Sequence, residues 1–171
     1  MNSAGWVAPL IGGLVVAACA SVDGRGLVPG QSSERDVQAV MGKPAETQAL
    51  AGGETLYWYP QLPWGHASYA ARIGADGQLV ALEQRLTDAN ISRIVRGQTT
   101  AKEVHDALGP AWQPQRYPNL ERDVWTYPMR LAGYALPQWY VVQFSYDGVV
   151  RETYLFDDPQ FVPQDRGFRH R

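Results

Sequence analysis

Apolar residues recur along this chain with two periods, and the two periods alternate. Val37, Val40 and Met41 fall on one face of a helix, and so do Val104, Ala107 and Leu108. Ser33 and Thr100 stand where such helices are capped, with Asp36 and Glu103 three residues later. Thr100 with Glu103 is a capping box, and Ser33 with Asp36 is a weaker relative of it. Gly42 and Gly109 then stop both helices, at a position that calls for a left-handed residue. A period of two follows. Tyr57 and Tyr59 oppose Leu56 and Trp58, and Trp125 and Tyr127 oppose Val124 and Thr126. Tyr69, Ala71 and Ile73 continue the alternation in one half of the chain, as Tyr140, Val142 and Phe144 do in the other. Asp76-Gly77 and Asp147-Gly148 predict hairpin turns, because both residue types tolerate positive φ. Third strands are expected over 79–86 and 149–156. A short linking helix is expected over 88–96, and Pro110, Pro114 and Pro118 keep the segment after the second helix from being helical.

These elements form one pattern used twice. Gly30-Gln31-Ser32-Ser33, Val37, Met41 and Gly42 are matched by Gly97-Gln98-Thr99-Thr100, Val104, Leu108 and Gly109 at an offset of 67. Leu56-Tyr57-Trp58-Tyr59-Pro60 matches Val124-Trp125-Thr126-Tyr127-Pro128 at 68, and the Asp-Gly pairs match at 71. The offset grows only through loops, as insertions require. The expectation is an α+β fold of two tandem repeats, each with short helices packed on a three-stranded antiparallel sheet.

Composition narrows the class without naming a function. Charged residues make up 19% and apolar residues 45% of 171 residues, a normal balance for a folded chain. The net charge of −2 carries no basic excess that would point to nucleic acid. The one local bias is the tail, where Arg166, Arg169, His170 and Arg171 face a single Asp165.

Cys19 is the only cysteine and ends the only long apolar run, Trp6 to Ala20, which holds no charge. The run is 15 residues long, short of the roughly 20 that a spanning helix needs. Val16-Ala17-Ala18-Cys19 resembles a bacterial lipobox, with small residues before an obligatory cysteine. The n-region, residues 1–5, lacks Lys and Arg, which departs from the usual signal pattern. Cleavage before Cys19 would leave a lipidated amino terminus, and Ala20 in the following position implies outer-membrane sorting. The expected layout is a lipoprotein signal peptide over 1–18, a lipidated tether over 19–29, a first repeat over 30–88, a second over 89–158 and a basic tail over 159–171.

The lipobox, the Gly-x-Ser/Thr…Val…Leu/Met-Gly helix signature at 30–42 and 97–109, the aromatic first strands and the Asp-Gly hairpins together resemble the small protein A / outer-membrane lipoprotein A family, the BamE-like lipoproteins. The resemblance covers nearly all of residues 28–158. It implies two short helices on a three-stranded sheet in each copy, and a role as an accessory subunit in outer-membrane protein assembly. Two copies in one chain depart from that family. Tandem copies of a similar unit also resemble the secreted β-lactamase inhibitor proteins, which bind an enzyme across a concave aromatic sheet.

Candidate chemistry is sparse. His66, His105 and His170 are far apart and near no ligand-spaced Cys or Glu, so neither a metal nor a cofactor is expected. No nucleophile elbow or phosphate-binding glycine loop occurs, and Asp157-Asp158 and Glu121/Asp123 read as solvated turns. The aromatics say more. Six Trp and nine Tyr mostly serve packing, but Trp and Tyr also dominate binding hot spots. Leu62 and Trp64 in the segment 61–68, and Tyr134 and Leu136 in 129–138, have no place in a strand pattern. They are the expected partner-contacting residues. The chain thus reads as a non-enzymatic protein-binding lipoprotein of the outer membrane, facing the periplasm, without small-molecule substrate. An inhibitor or sequestering protein of a periplasmic enzyme is the second reading, and an envelope enzyme with an unrecognised site is the third.

Overall fold

The computed structural model describes residues 23–163. The expected signal peptide, Cys19, the start of the tether and the tail from residue 164 onward lie outside the described residues. Within them the fold is α+β, with two four-stranded antiparallel sheets ordered β1-β2-β3-β4 and β5-β6-β7-β8. Helix α1 (Glu34–Met41) precedes β1 (Glu46–Ala49), β2 (Thr55–Pro60), β3 (Ser68–Ile73) and β4 (Leu79–Gln84). A one-turn helix α2 (Asp88–Ile91) leads to α3 (Ala101–Leu108), followed by β5 (Trp112–Tyr117), β6 (Arg122–Met129), β7 (Gln138–Ser145) and β8 (Val150–Asp157). No helix among the described residues is long and apolar enough to cross a membrane.

The three-stranded expectation is corrected by one strand in each sheet. β1 reads Glu-Thr-Gln-Ala and β5 reads Trp-Gln-Pro-Gln-Arg-Tyr, and neither has an alternating apolar face. Both are edge strands, largely exposed, so burial imposes no pattern on their sequence. Pro114 sits where the β5–β6 register shifts between Trp112 and Gln115, the kind of edge bulge that accommodates a proline. The linking helix is also shorter than expected: only Asp88–Ile91 is helical, and turns and irregular chain fill the rest.

Both halves build the helix–sheet unit with the same bonds. Ser33 and Thr100 each close a reciprocal capping box, with Asp36 and Glu103 accepting from the N-cap N–H groups at 2.8 and 2.7 Å. The first helical N–H of each helix then donates to an Asp-Gly turn: Glu34 to the Gly77 carbonyl at 2.9 Å, and Ala101 to the Gly148 carbonyl at 2.7 Å. The turns do join β3 to β4 and β7 to β8. Only the glycine in each takes positive φ, with Gly77 donating back to Gly74 and Gly148 back to Ser145. Gly42 and Gly109 also take positive φ as expected, but at ψ −165° and −167° rather than in the left-handed helical region. That conformation is open almost only to glycine, and it throws the chain straight from the helix into the first strand.

The layers stack as α1, first sheet, α3, second sheet. Val37 of α1 packs on Tyr57, Tyr59, Ala71, Ile73 and Leu79. Val104 and Leu108 of α3 pack on Tyr127, Tyr140, Val142, Phe144 and Val150 of the second sheet. The opposite face of the first sheet carries Trp58, which is completely buried. What buries it is also α3.

Candidate functional site

The contact between the two halves is specific and polar at its rim. The Trp58 and His105 rings meet edge to face, with centroids 5.8 Å apart. The backbone at Gly109 passes so close to Trp58 that a Cβ there would stand 2.6 Å from Cε3 of the indole. His105 pairs with Glu46 at 3.1 Å, and Gln48 donates to Asp106 at 3.2 Å. Arg85 lies over the Trp58 ring and donates to the carbonyls of Asp106 and Ala107, at 2.9 and 3.1 Å. A guanidinium on the last carbonyls of a helix satisfies acceptors that the helix leaves open and complements its dipole. On its other side Gly109 accepts from the buried Tyr127 hydroxyl at 3.2 Å. Burial pushes the Tyr127 phenol well above its ordinary range, and pushes Tyr59 up to about 12. Both therefore stay neutral, and Tyr127 remains a donor at physiological pH.

The four residues singled out from sequence divide by burial. Trp64 is 74% exposed and Tyr134 is 47% exposed. Leu62 is half-buried and packs against the core of the second sheet, although it belongs to the first half of the chain. Leu136 is half-buried, and its carbonyl accepts from the buried Gln138 side chain. Trp64 thus projects from a loop that Leu62 roots in the neighbouring core.

A third segment, which sequence reasoning passed over, joins the two tips. His66 takes positive φ (50°) at the end of the first tip. Its Nε2 stands 3.7 Å from Oδ2 of the buried Asp158, and its ring meets Phe161 edge to face at 5.6 Å. The Asp158 N–H donates to the carbonyl of Pro137, the last residue of the second tip, at 2.8 Å. The first tip, the end of the second tip and the turn after β8 therefore meet at one end of the molecule. Phe161 and Val162 of that turn are 41% and 42% exposed. Asp158, expected from the sequence in a solvated turn, is 2% exposed and organises this junction. Neither its sequence context nor its spacing signals that role.

This end of the molecule can present rigid aromatic side chains to a protein surface, which is how hot spots bind. Among the described residues no group of three or more His, Cys, Asp or Glu side chains could hold a metal ion. Asp123, read from sequence as a solvated carboxylate, is fixed by Arg116 through two hydrogen bonds of 2.7 and 3.0 Å.

Comparison with known proteins adds little. No protein-family model matches the chain, and no curated protein matches it. One solved structure, a DUF4309 family protein (YjgB) from Bacillus subtilis subsp. subtilis str. 168, aligns at 18% identity over 78% of this chain and 84% of its own. Its TM-score is 0.31, which carries no argument about fold or function.

Proposed function

We propose that this chain is a BamE-like lipoprotein with two tandem repeats, held by a lipid at Cys19 to the periplasmic face of the outer membrane, where it binds a protein partner without catalysis. The observation that carries the binding role is Trp64, 74% exposed on a loop anchored through Leu62 and through His66 to Asp158. A tryptophan held in water on a fixed loop contributes little to folding and is preorganised for a partner. Tyr134 and Leu136 on the second tip supply the neighbouring contacts. The capped helix followed by an antiparallel sheet in each half supports the BamE-like reading. Membrane anchoring rests on the lipobox-like sequence before Cys19, and attachment through two or more acyl chains gives stable anchoring.

Co-purification from detergent-solubilised membranes tests the proposal. Recovery of barrel-assembly subunits, lost on Trp64→Ala, supports it. Recovery of a periplasmic hydrolase instead moves the reading to an inhibitor or sequestering protein.

A further inference from the structure

The contact between the halves has two sides, a helix face and a sheet face, and the chain carries a second example of each. The helix face on α3 comprises His105 and Asp106, with Gly109 just past its end and the exposed Lys102 at its rim. Its counterpart on α1, at the constant offset of 67, comprises Arg35, Gln38, Ala39 and Gly42. Arg35, Gln38 and Ala39 are exposed, and a Cβ at Gly42 would meet nothing within 4 Å, although Gly42 and Gly109 share one backbone conformation. The sheet face is repeated on the side of the second sheet turned away from α3. There Trp112, Thr126, Val141 and Tyr154 form one cross-strand row, and Pro128, Trp139 and Phe156 form the next. Trp139 packs its ring against Trp112 and Phe156, at 5.6 and 6.2 Å, while Tyr154 and Phe156 remain 46% and 43% exposed.

The two free faces also fit each other in polarity. Glu46, which pairs with His105 inside the molecule, occupies the register position opposite Trp58; the same position opposite Thr126 holds Trp112. On α1 the counterpart of His105 is Gln38 and that of Asp106 is Ala39. Positions 38 and 39 of the free helix face are therefore uncharged, as is the facing position Trp112 on the free sheet face. Ser68, opposite Pro60, lies 3.0 Å from where a Cβ of Gly109 would be. Its counterpart, opposite Pro128, is Trp139.

We infer that a second copy of this chain docks its α1 on the outer face of the second sheet, with Gly42 against Trp139, extending the helix–sheet stack from chain to chain. The contact is heterologous, so copies add head to tail rather than closing as a two-fold dimer. It uses neither Trp64 nor Tyr134, so its failure leaves the partner-binding proposal standing.

A photo-cross-linking amino acid at position 39 of the full chain, irradiated in cells, tests the contact, together with sedimentation of the full chain in mild detergent over a range of concentrations. The expected product joins position 39 of one copy to a β7 or β8 peptide of another. The expected sedimentation shows species larger than the monomer growing with concentration. Ala39→Arg and Phe156→Arg, both at exposed positions, should each raise the dissociation constant about tenfold or more, with circular dichroism unchanged. A monomer at every concentration overturns the inference. So do cross-links from position 39 that reach only another protein, or association indifferent to both substitutions.

Discussion

Trp58 and Gly109 are in contact across the two halves of the chain so closely that the glycine has no room for a β-carbon. Gly42 has the same φ and ψ to within 2° and open space around it. The pair separates two effects that usually arrive together. Gly42→Ala should cost only the backbone strain, of order 1–3 kcal/mol. Gly109→Ala should cost that plus about 1–3 kcal/mol of overpacking against the indole. Chemical denaturation of both variants measures the difference, and equal losses would mean that Trp58 moves aside freely. Trp58→Ala should itself cost about 3–5 kcal/mol.

The double change Trp64→Ala, Tyr134→Ala should weaken partner capture, since a hot-spot aromatic contributes about 2 kcal/mol or more. Stability should shift by roughly 0.5 kcal/mol or less per site, because both rings are exposed. Leu62→Ala should behave in the opposite sense and lower the melting temperature, because Leu62 packs on the second core. A melting temperature that falls as far for the aromatic pair as for Leu62 would make the rings structural.

Cys19 is expected to carry lipid. Mass measurement of the mature protein should find a chain beginning at Cys19 with added acyl mass, and Cys19→Ser should retain the fold while releasing the protein from membranes. Intact Met1, or an unmodified Cys19 terminus, is the contrary result.

Acid should destabilise the fold through its helix caps. Hydrogen bonds from the Ser33 hydroxyl and N–H hold the Asp36 carboxyl below its ordinary value, and those from the Thr100 N–H and hydroxyl do the same for Glu103. Ser145 lowers Asp147, and Arg116 lowers Asp123. A carboxylate with a lowered folded-state pKa stabilises fully above its unfolded value, about 3.9 for Asp and 4.3 for Glu, and that contribution disappears as pH falls through the folded value. Melting temperature should therefore drop below about pH 4.5. The double variant Ser33→Ala, Thr100→Ala should lose about 1 kcal/mol per cap at neutral pH and show a shallower acid decline. An acid profile unchanged by these substitutions would place the decline elsewhere.

Much of the fold was legible because burial and backbone geometry write themselves into sequence. Val37 and Val104 mark helix faces that touch a core, and Tyr57 and Tyr127 mark buried strand positions. Asp76-Gly77 and Asp147-Gly148 mark turns in which the glycine takes the positive φ at no steric cost. β1 and β5 were illegible for the converse reason: edge strands facing solvent are free to be polar, and Pro114 at a bulge imitates a loop. Trp58 was legible as a sheet residue, but nothing local tells which helix covers it. The cover lies about fifty positions later in the chain and is chosen by tertiary packing. The Pro- and Gly-bounded loop left Trp64 free either to fold back or to face outward, and the junction at Asp158 depends on three segments meeting in space.

Because α3 serves both sheets, the order of synthesis leaves the first one temporarily half-dressed. Its own helix is made before it, but the second cover, α3, is complete only 24 residues after the last strand of that sheet, about one to five seconds at about 5–20 residues per second. During that interval Trp58 and its cross-strand neighbour Ala70, both buried in the finished protein, lie open to solvent. An early stop at the boundary between the halves makes that exposure permanent. The hazard of a nascent or truncated chain is thus concentrated around an indole that the finished protein never shows.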